Sequence, residues 1–222
     1  MKFPNAAKGV SKIFTAEILS LIALIATGIM SIWAAITVAA APPEGSEEVS
    51  TVFAAGAIGM IAFGAIAGII AVIALIINIV GVVQASKDES AFKAIIYLVI
   101  FSIIVSVVAT IFTGNQFAAN LSNAIAEIVH LVCTVLVVLG IATMATQLQN
   151  EKVIAKGGTI LKLIIWVGIL AIIARLFAIF LPSTSAAVII TILAIVALVL
   201  SIAQYCIYLS FLSNAKKMLN QE

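Results

Sequence analysis

The sequence predicts an all-α fold: a polytopic transmembrane bundle of six helices, arranged as three tandem αα hairpins with both termini on the cytoplasmic side. Three observations carry this expectation. The chain is 64% apolar and 9% charged, against about 45–50% and about 25% in soluble domains. Its apolar residues gather into six runs separated by polar or turn-forming breaks. Every lysine falls on one side of the resulting arrangement. A soluble core of this size lacks the charge to cover itself, which excludes a water-soluble fold.

A helix needs about 20 apolar residues to cross the hydrocarbon core. The runs are Ile13–Ala41, Val52–Val83, Ala94–Phe112, Leu121–Met144, Leu163–Leu181 and Ala186–Leu212. Backbone groups in lipid must be satisfied within the segment, and no alternating barrel pattern is present, so the runs are helices. Turn-like breaks stand at Pro42-Pro43-Glu44-Gly45-Ser46, Thr113-Gly114-Asn115-Gln116 and Pro182-Ser183-Thr184-Ser185. A cleaved signal peptide is disfavoured, because the first run spans 29 residues against about 7–15 for a signal h-region.

Lysine placement gives the orientation. Lys2, Lys8, Lys12, Lys87, Lys93, Lys152, Lys156, Lys162, Lys216 and Lys217 share one face, while the opposite loops hold no Lys or Arg and the first carries Glu44, Glu47 and Glu48. The positive-inside rule then predicts N-in and C-in. A plasma (inner) membrane is the expected location.

The whole of 1–222 is read as a single membrane domain with internal repetition. Phe92-Lys93-Ala94-Ile95-Ile96-Tyr97 resembles Leu161-Lys162-Leu163-Ile164-Ile165-Trp166, and Ala7-Lys8-Gly9 matches Ala155-Lys156-Gly157. Three hairpins follow, over approximately 7–88, 89–154 and 155–222. The first is the longest, with an acidic outer turn over 42–50. Its second helix carries Gly64-xxx-Gly68, a spacing that lets backbones approach. That face serves intramolecular packing or a homo-oligomer contact. Trp33, Tyr97, Trp166, Tyr205 and Tyr208 are expected as interfacial anchors or core.

The fourth helix carries the polar constellation of interest. Gln116, Asn120, Asn123, Glu127, His130 and Thr134 recur every three or four residues and share a face. From Asn120 to Thr134 the stripe descends about 21 Å, from the outer surface to mid-bilayer. Ser102, Ser106, Thr110 and Thr113 form a matching hydroxyl stripe on the third helix. Arg175, the lone arginine, lies two turns below the outer end of the fifth. An arginine in hydrocarbon costs at least about 2.5–3.5 kcal/mol, and equal depth predicts that Arg175 pairs with Glu127. Two readings stand: interhelical hydrogen-bonding glue with Arg175 snorkelling, or a polar pocket open to the outside.

Other chemistry lacks its parts. Glu127 and His130 have metal-ligand spacing, but no second motif or converging carboxylate accompanies them. Cys133 and Cys206 form neither a CxxC pair nor a disulfide framework. The sole aspartate, Asp88, is on the lysine side, away from His130, and no GxSxG elbow or phosphate-binding glycine loop exists. Glu17 is expected to complement a helix dipole or pair with lysine, and Asn78 to cap or bridge helices. No cofactor, metal, catalytic residue or nucleic-acid partner is expected; the lysines suit topology and anionic lipid. The expected function is a non-enzymatic accessory, scaffold or assembly protein acting through helix contacts with the bilayer and a membrane-protein partner. The alternative is a small solute carrier or channel-like protein with an outward pocket around Glu127, His130 and Arg175.

Overall fold

The computed structural model describes residues 2–39, 49–111, 116–180 and 184–221; the side chains described lie within 2–30, 59–107, 125–169 and 200–221, with Ser106 and Glu127 among the exceptions. Six helices account for nearly all of this chain: α1 (Pro4–Ala39), α2 (Val49–Ala85), α3 (Ala91–Ile111), α4 (Gln116–Gln147), α5 (Glu151–Phe180) and α6 (Thr184–Asn220). No strand occurs among the described residues. Three described stretches, Pro4–Thr27, Ala62–Ala85 and Ile128–Gln147, are long and apolar enough to cross a membrane, which fits a membrane helical bundle. The turns expected at 42–46, 113–116 and 182–185 fall wholly or partly outside the described residues, as does the side chain of Trp33.

The helices outrun their apolar segments at the lysine-bearing ends. Hydropathy detects only what lipid can dissolve, whereas caps and protein packing extend a helix into polar sequence. α1 begins nine residues before Ile13, with Pro4 at the first helical position, where its missing N–H costs nothing. Its next donors are satisfied from afar. The Asp88 carboxylate accepts the backbone N–H groups of Asn5 and Ala6, each at 2.8 Å, and the Asn5 side-chain amide at 2.9 Å. Asp88, in the α2–α3 turn, thus does the work of an N-cap and places a negative charge at the positive end of the α1 dipole.

The α4–α5 turn is capped within itself. Asn150 N–H bonds to Ala145 C=O at 2.9 Å and Gln149 N–H to Thr146 C=O at 3.1 Å, the paired bonds of a Schellman motif. That motif needs a left-handed residue, and Gln149 supplies it at φ 54°. Asn150 then caps α5 by accepting the N–H of Val153 at 3.2 Å.

The chain forms two compact units, Met1–Ser11 with Gly81–Glu222, and Lys12–Val80. In the second, α1 and α2 run antiparallel. Asn78 donates to Glu17 Oε1 at 3.4 Å, and about a dozen residues further along α1 Met30 reaches the face of Gly64. Gly64 therefore packs within the chain, while Gly68 faces open space. Ile22, Ile25 and Ile29 of α1 and Phe63, Ile66, Ile69, Ile73 and Ile76 of α2 point outward.

In the first unit, α3 packs on α4, α4 on α5 and α5 on α6. Among its described side chains, those buried include Phe92 of α3, Ile141 and Met144 of α4, Ile160 and Ile164 of α5, and Phe211 and Leu212 of α6, all toward the lysine-bearing helix ends. Three glycines, Gly9, Gly140 and Gly168, permit the closest approaches among those described. A Cβ on Gly9 would stand 2.5 Å from the Gly81 carbonyl oxygen, and one on Gly140 would stand 2.7 Å from the Phe92 ring. The apolar run of α4, expected to extend as far as Met144, belongs at its lower end to a protein core: Val138, Ile141, Met144 and Ala145 are fully buried.

Asp88→Ala strips three bonds from the start of α1 and should lower stability by about 1–2 kcal/mol. In a detergent melt this reads as a Tm drop of about 2–8 °C, whereas Asn5→Ala, removing only the side-chain bond, should lower it by less than half as much. Gln149→Gly relieves the left-handed strain at the α4 C-cap, less the extra freedom glycine gives the unfolded chain. It should raise Tm by about 1–3 °C, and a fall in the same melt would show that Gln149 holds a contact worth more than the strain.

Candidate functional site

The expected polar constellation lies where α3, α4 and α5 run side by side, and their register determines which residues share a level. Leu131 of α4 meets Gly168 of α5, and Ala142 meets Gly157. Eleven residues along α4 match eleven in the opposite sense along α5, so the helices are antiparallel with an unbroken register. On the other flank, Phe92 and Ala91 of α3 meet Gly140 of α4. Counting from these contacts, His130 falls level with Ser102 of α3 and with Ile169 of α5.

The described members of the stripe occupy unlike environments. His130 is exposed, Thr134 and Ser102 are half-buried. The Thr134 hydroxyl donates at 2.9 Å to the His130 carbonyl of its own helix. The same back-bond to the i−4 carbonyl recurs at Thr27, Thr143, Thr146 and Thr159. A hydroxyl in an apolar helix is thereby satisfied locally and needs no partner across the bundle. The side chains of Asn120, Asn123, Glu127, Ser106, Thr110 and Arg175 lie outside the described residues, and so does the expected Glu127–Arg175 contact. Among the described residues no group of three or more His, Cys, Asp and Glu side chains converges on a metal position.

Three polar features that sequence reasoning did not find lie at the helix ends. Asp88 clasps the start of α1; only the proximity of residues 5 and 88 reveals it. Glu17 and Asn78, read separately in the sequence, are hydrogen-bonded partners. The third is an open groove of about 420 Å³ between α5 and α6, lined by Lys156, Thr159, Cys206, Ile207 and Ser210. Across it the Lys156 ammonium donates to Ser210 Oγ at 3.1 Å. The spacings Lys156/Thr159 and Cys206/Ser210 put each pair on one helix face, but nothing local signals that the two faces meet.

Comparison with family models, with curated proteins and with solved structures found no match. Function therefore has to be argued from the geometry itself.

A cysteine pair tests the register. With Cys133 and Cys206 replaced by serine, Leu131→Cys with Gly168→Cys should oxidise to a disulfide, since bridging requires Cα atoms within about 7 Å. Leu131→Cys with Ile160→Cys, displaced by two turns, should remain reduced in the same gel-shift assay.

Proposed function

We propose that the chain is a multi-pass integral membrane protein of six spans, N-in and C-in in a plasma-type membrane, that works as an accessory or scaffold protein through its helix faces rather than as an enzyme. The observation that carries this reading is the sorting of exposed side chains along α3 and α5. Lys93 and Lys162 are exposed; four residues on, Tyr97 and Trp166 are 73% and 65% exposed. Beyond them come outward Ile100, Phe101, Ile103 and Ile104 on α3 and Ile169 on α5. The register sets Tyr97 level with Ile164, about 3 Å from the level of Trp166. Cations, then aromatic rings, then aliphatic chains is the order met on crossing from headgroups into hydrocarbon.

Water is a poor alternative solvent. A half-exposed isoleucine or phenylalanine forgoes about 1 kcal/mol of burial. Among the described residues twenty-eight large apolar side chains are exposed, enough to outweigh the roughly 5–15 kcal/mol net stability of a folded domain. The three-hairpin arrangement draws support from burial that repeats with the sequence: Ile95 and Ile164 are both 2% exposed, and Tyr97 and Trp166 both point outward. Gly9 and Gly157, at matching positions, are both buried. The back-bonded Thr134 hydroxyl favours packing over a wet pocket.

One observation favours the second reading, an outward polar pocket of a small carrier. Continued outward, the register brings Glu127 level with Val105, beside Ser106, and level with Ile172, three residues short of Arg175. Asn123 likewise comes within one residue of Thr110. The same count sets Thr134 level with Leu98 and Ile165, next to the aromatic pair.

Topology is tested with an impermeant thiol reagent on intact cells carrying the cysteine-free chain. Gly45→Cys should label and Glu151→Cys should not; the reverse pattern, or labelling at both, overturns the six-span arrangement. For function, Asn123→Cys and Thr134→Cys in that background should stay protected from the outside if the stripe is packed, and label together if it lines a pocket. Native mass spectrometry of the mildly solubilised protein should then show a polypeptide partner; a stoichiometric small solute in its place would favour the carrier.

A further inference from the structure

We propose that the groove between α5 and α6 seats the phosphate headgroup of an anionic membrane phospholipid, with Lys156 as its cationic contact. The inference rests on the membrane reading above and adds a ligand to it. Depth comes first. Thr159 and Lys156 lie seven and ten residues from Trp166 toward the lysine-bearing end, about 10 and 15 Å along α5. Cys206, Ile207 and Thr159 line its bilayer-side end, and Lys156 with Ser210 closes it on the aqueous side. The groove thus opens at the outer, aqueous margin of a headgroup zone about 5–7 Å deep, where an ammonium meets phosphate rather than acyl chain.

Chemistry agrees with depth. An ammonium has three donors, and the bond to Ser210 uses one. Lys152 precedes Lys156 by one turn on the same face of α5, and Lys217 follows Ser210 by two turns on the same face of α6; both are exposed. The one acid described on α5, Glu151, lies roughly 140° around the helix from Lys156, and α6 has none among its described residues. The groove therefore presents uncompensated positive charge next to an apolar wall of Ile207 and Cys206. A phosphodiester with acyl chains directed into the bilayer matches both parts, and a zwitterionic headgroup matches only the apolar one.

The test uses the full chain in nanodiscs of phosphatidylcholine mixed with phosphatidylglycerol, with retained lipid counted by native mass spectrometry after extraction. Wild type should retain phosphatidylglycerol in preference to phosphatidylcholine. Lys156→Gln should reduce that preference about fivefold, the effect of about one surface lysine, and Lys156→Glu should abolish it. Lys93→Glu, the same charge change outside the groove, should leave most of it. Circular dichroism checks that each variant is helical, and Ser210→Ala, which keeps the lysine, should show only a partial loss. Unchanged preference in Lys156→Glu overturns the site. A rise in Tm with inorganic phosphate in phosphatidylcholine discs, equal to that given by phosphatidylglycerol, would assign the groove to free phosphate instead. Release of the chain from vesicles by alkaline wash would sink the membrane reading itself, whereas firm insertion without lipid preference sinks only this one.

Discussion

When helices are apolar on every side and lipid surrounds them, burial of apolar surface no longer distinguishes one packing from another, because acyl chains solvate isoleucine as well as a neighbouring helix does. Something else must choose the arrangement. Among the described side chains, Phe92, Met144, Ile160, Phe211 and Leu212 supply such a choice, being buried toward the lysine-bearing ends. There the hydrophobic effect regains its force, at about 1.5–3 kcal/mol for each large side chain removed from water. The close approaches at Gly9 and Gly140 belong to that same layer. The described lysine-bearing end behaves as an ordinary folded core, and the outward isoleucines described further along the helices need only a solvent that tolerates them.

Polar residues divide along the same line. Threonines set in apolar helices bond to their own backbone, as Thr134 and Thr143 do, whereas Asn78, inside the apolar run of α2, bonds across to Glu17 of α1. Polar residues at the lysine end make further long-range bonds: Asp88 to Asn5 and Ala6, Lys156 to Ser210, Lys2 to the Gln147 carbonyl at 3.4 Å. A polar side chain inside a hydropathy peak is thus weak grounds for a site, and the candidate stripe of α4 draws its interest from its registration with α3 and α5 rather than from polarity.

Much of the architecture was legible in the residues. Helical class and six segments in order follow from run length and breaks, because lipid imposes a length on anything that crosses it. Boundaries were less legible: Pro4, Asn150 and the left-handed Gln149 extend or end helices through local hydrogen bonds that hydropathy does not sense. The packing of the lower run of α4 was not legible, since Val138 to Ala145 look alike whether lipid or protein surrounds them. Registration of α3, α4 and α5 was not readable at all, as it depends on Leu131 fitting against Gly168 and Phe92 against Gly140. The Asp88 clasp and the Lys156 groove were hidden for another reason, being made by residues 83 and 54 positions apart with no shared local pattern.

The clasp at the start of α1 also orders events during synthesis. The donors of Asn5 and Ala6 are synthesised before their acceptor, Asp88, which follows only after both α1 and α2 have been made. Until then the opening turn can be served only by water or by headgroup oxygens. Arrival of one aspartate converts that provisional solvation into a closed loop joining residue 5 to residue 88, so completion of the first helix waits on translation of the second turn.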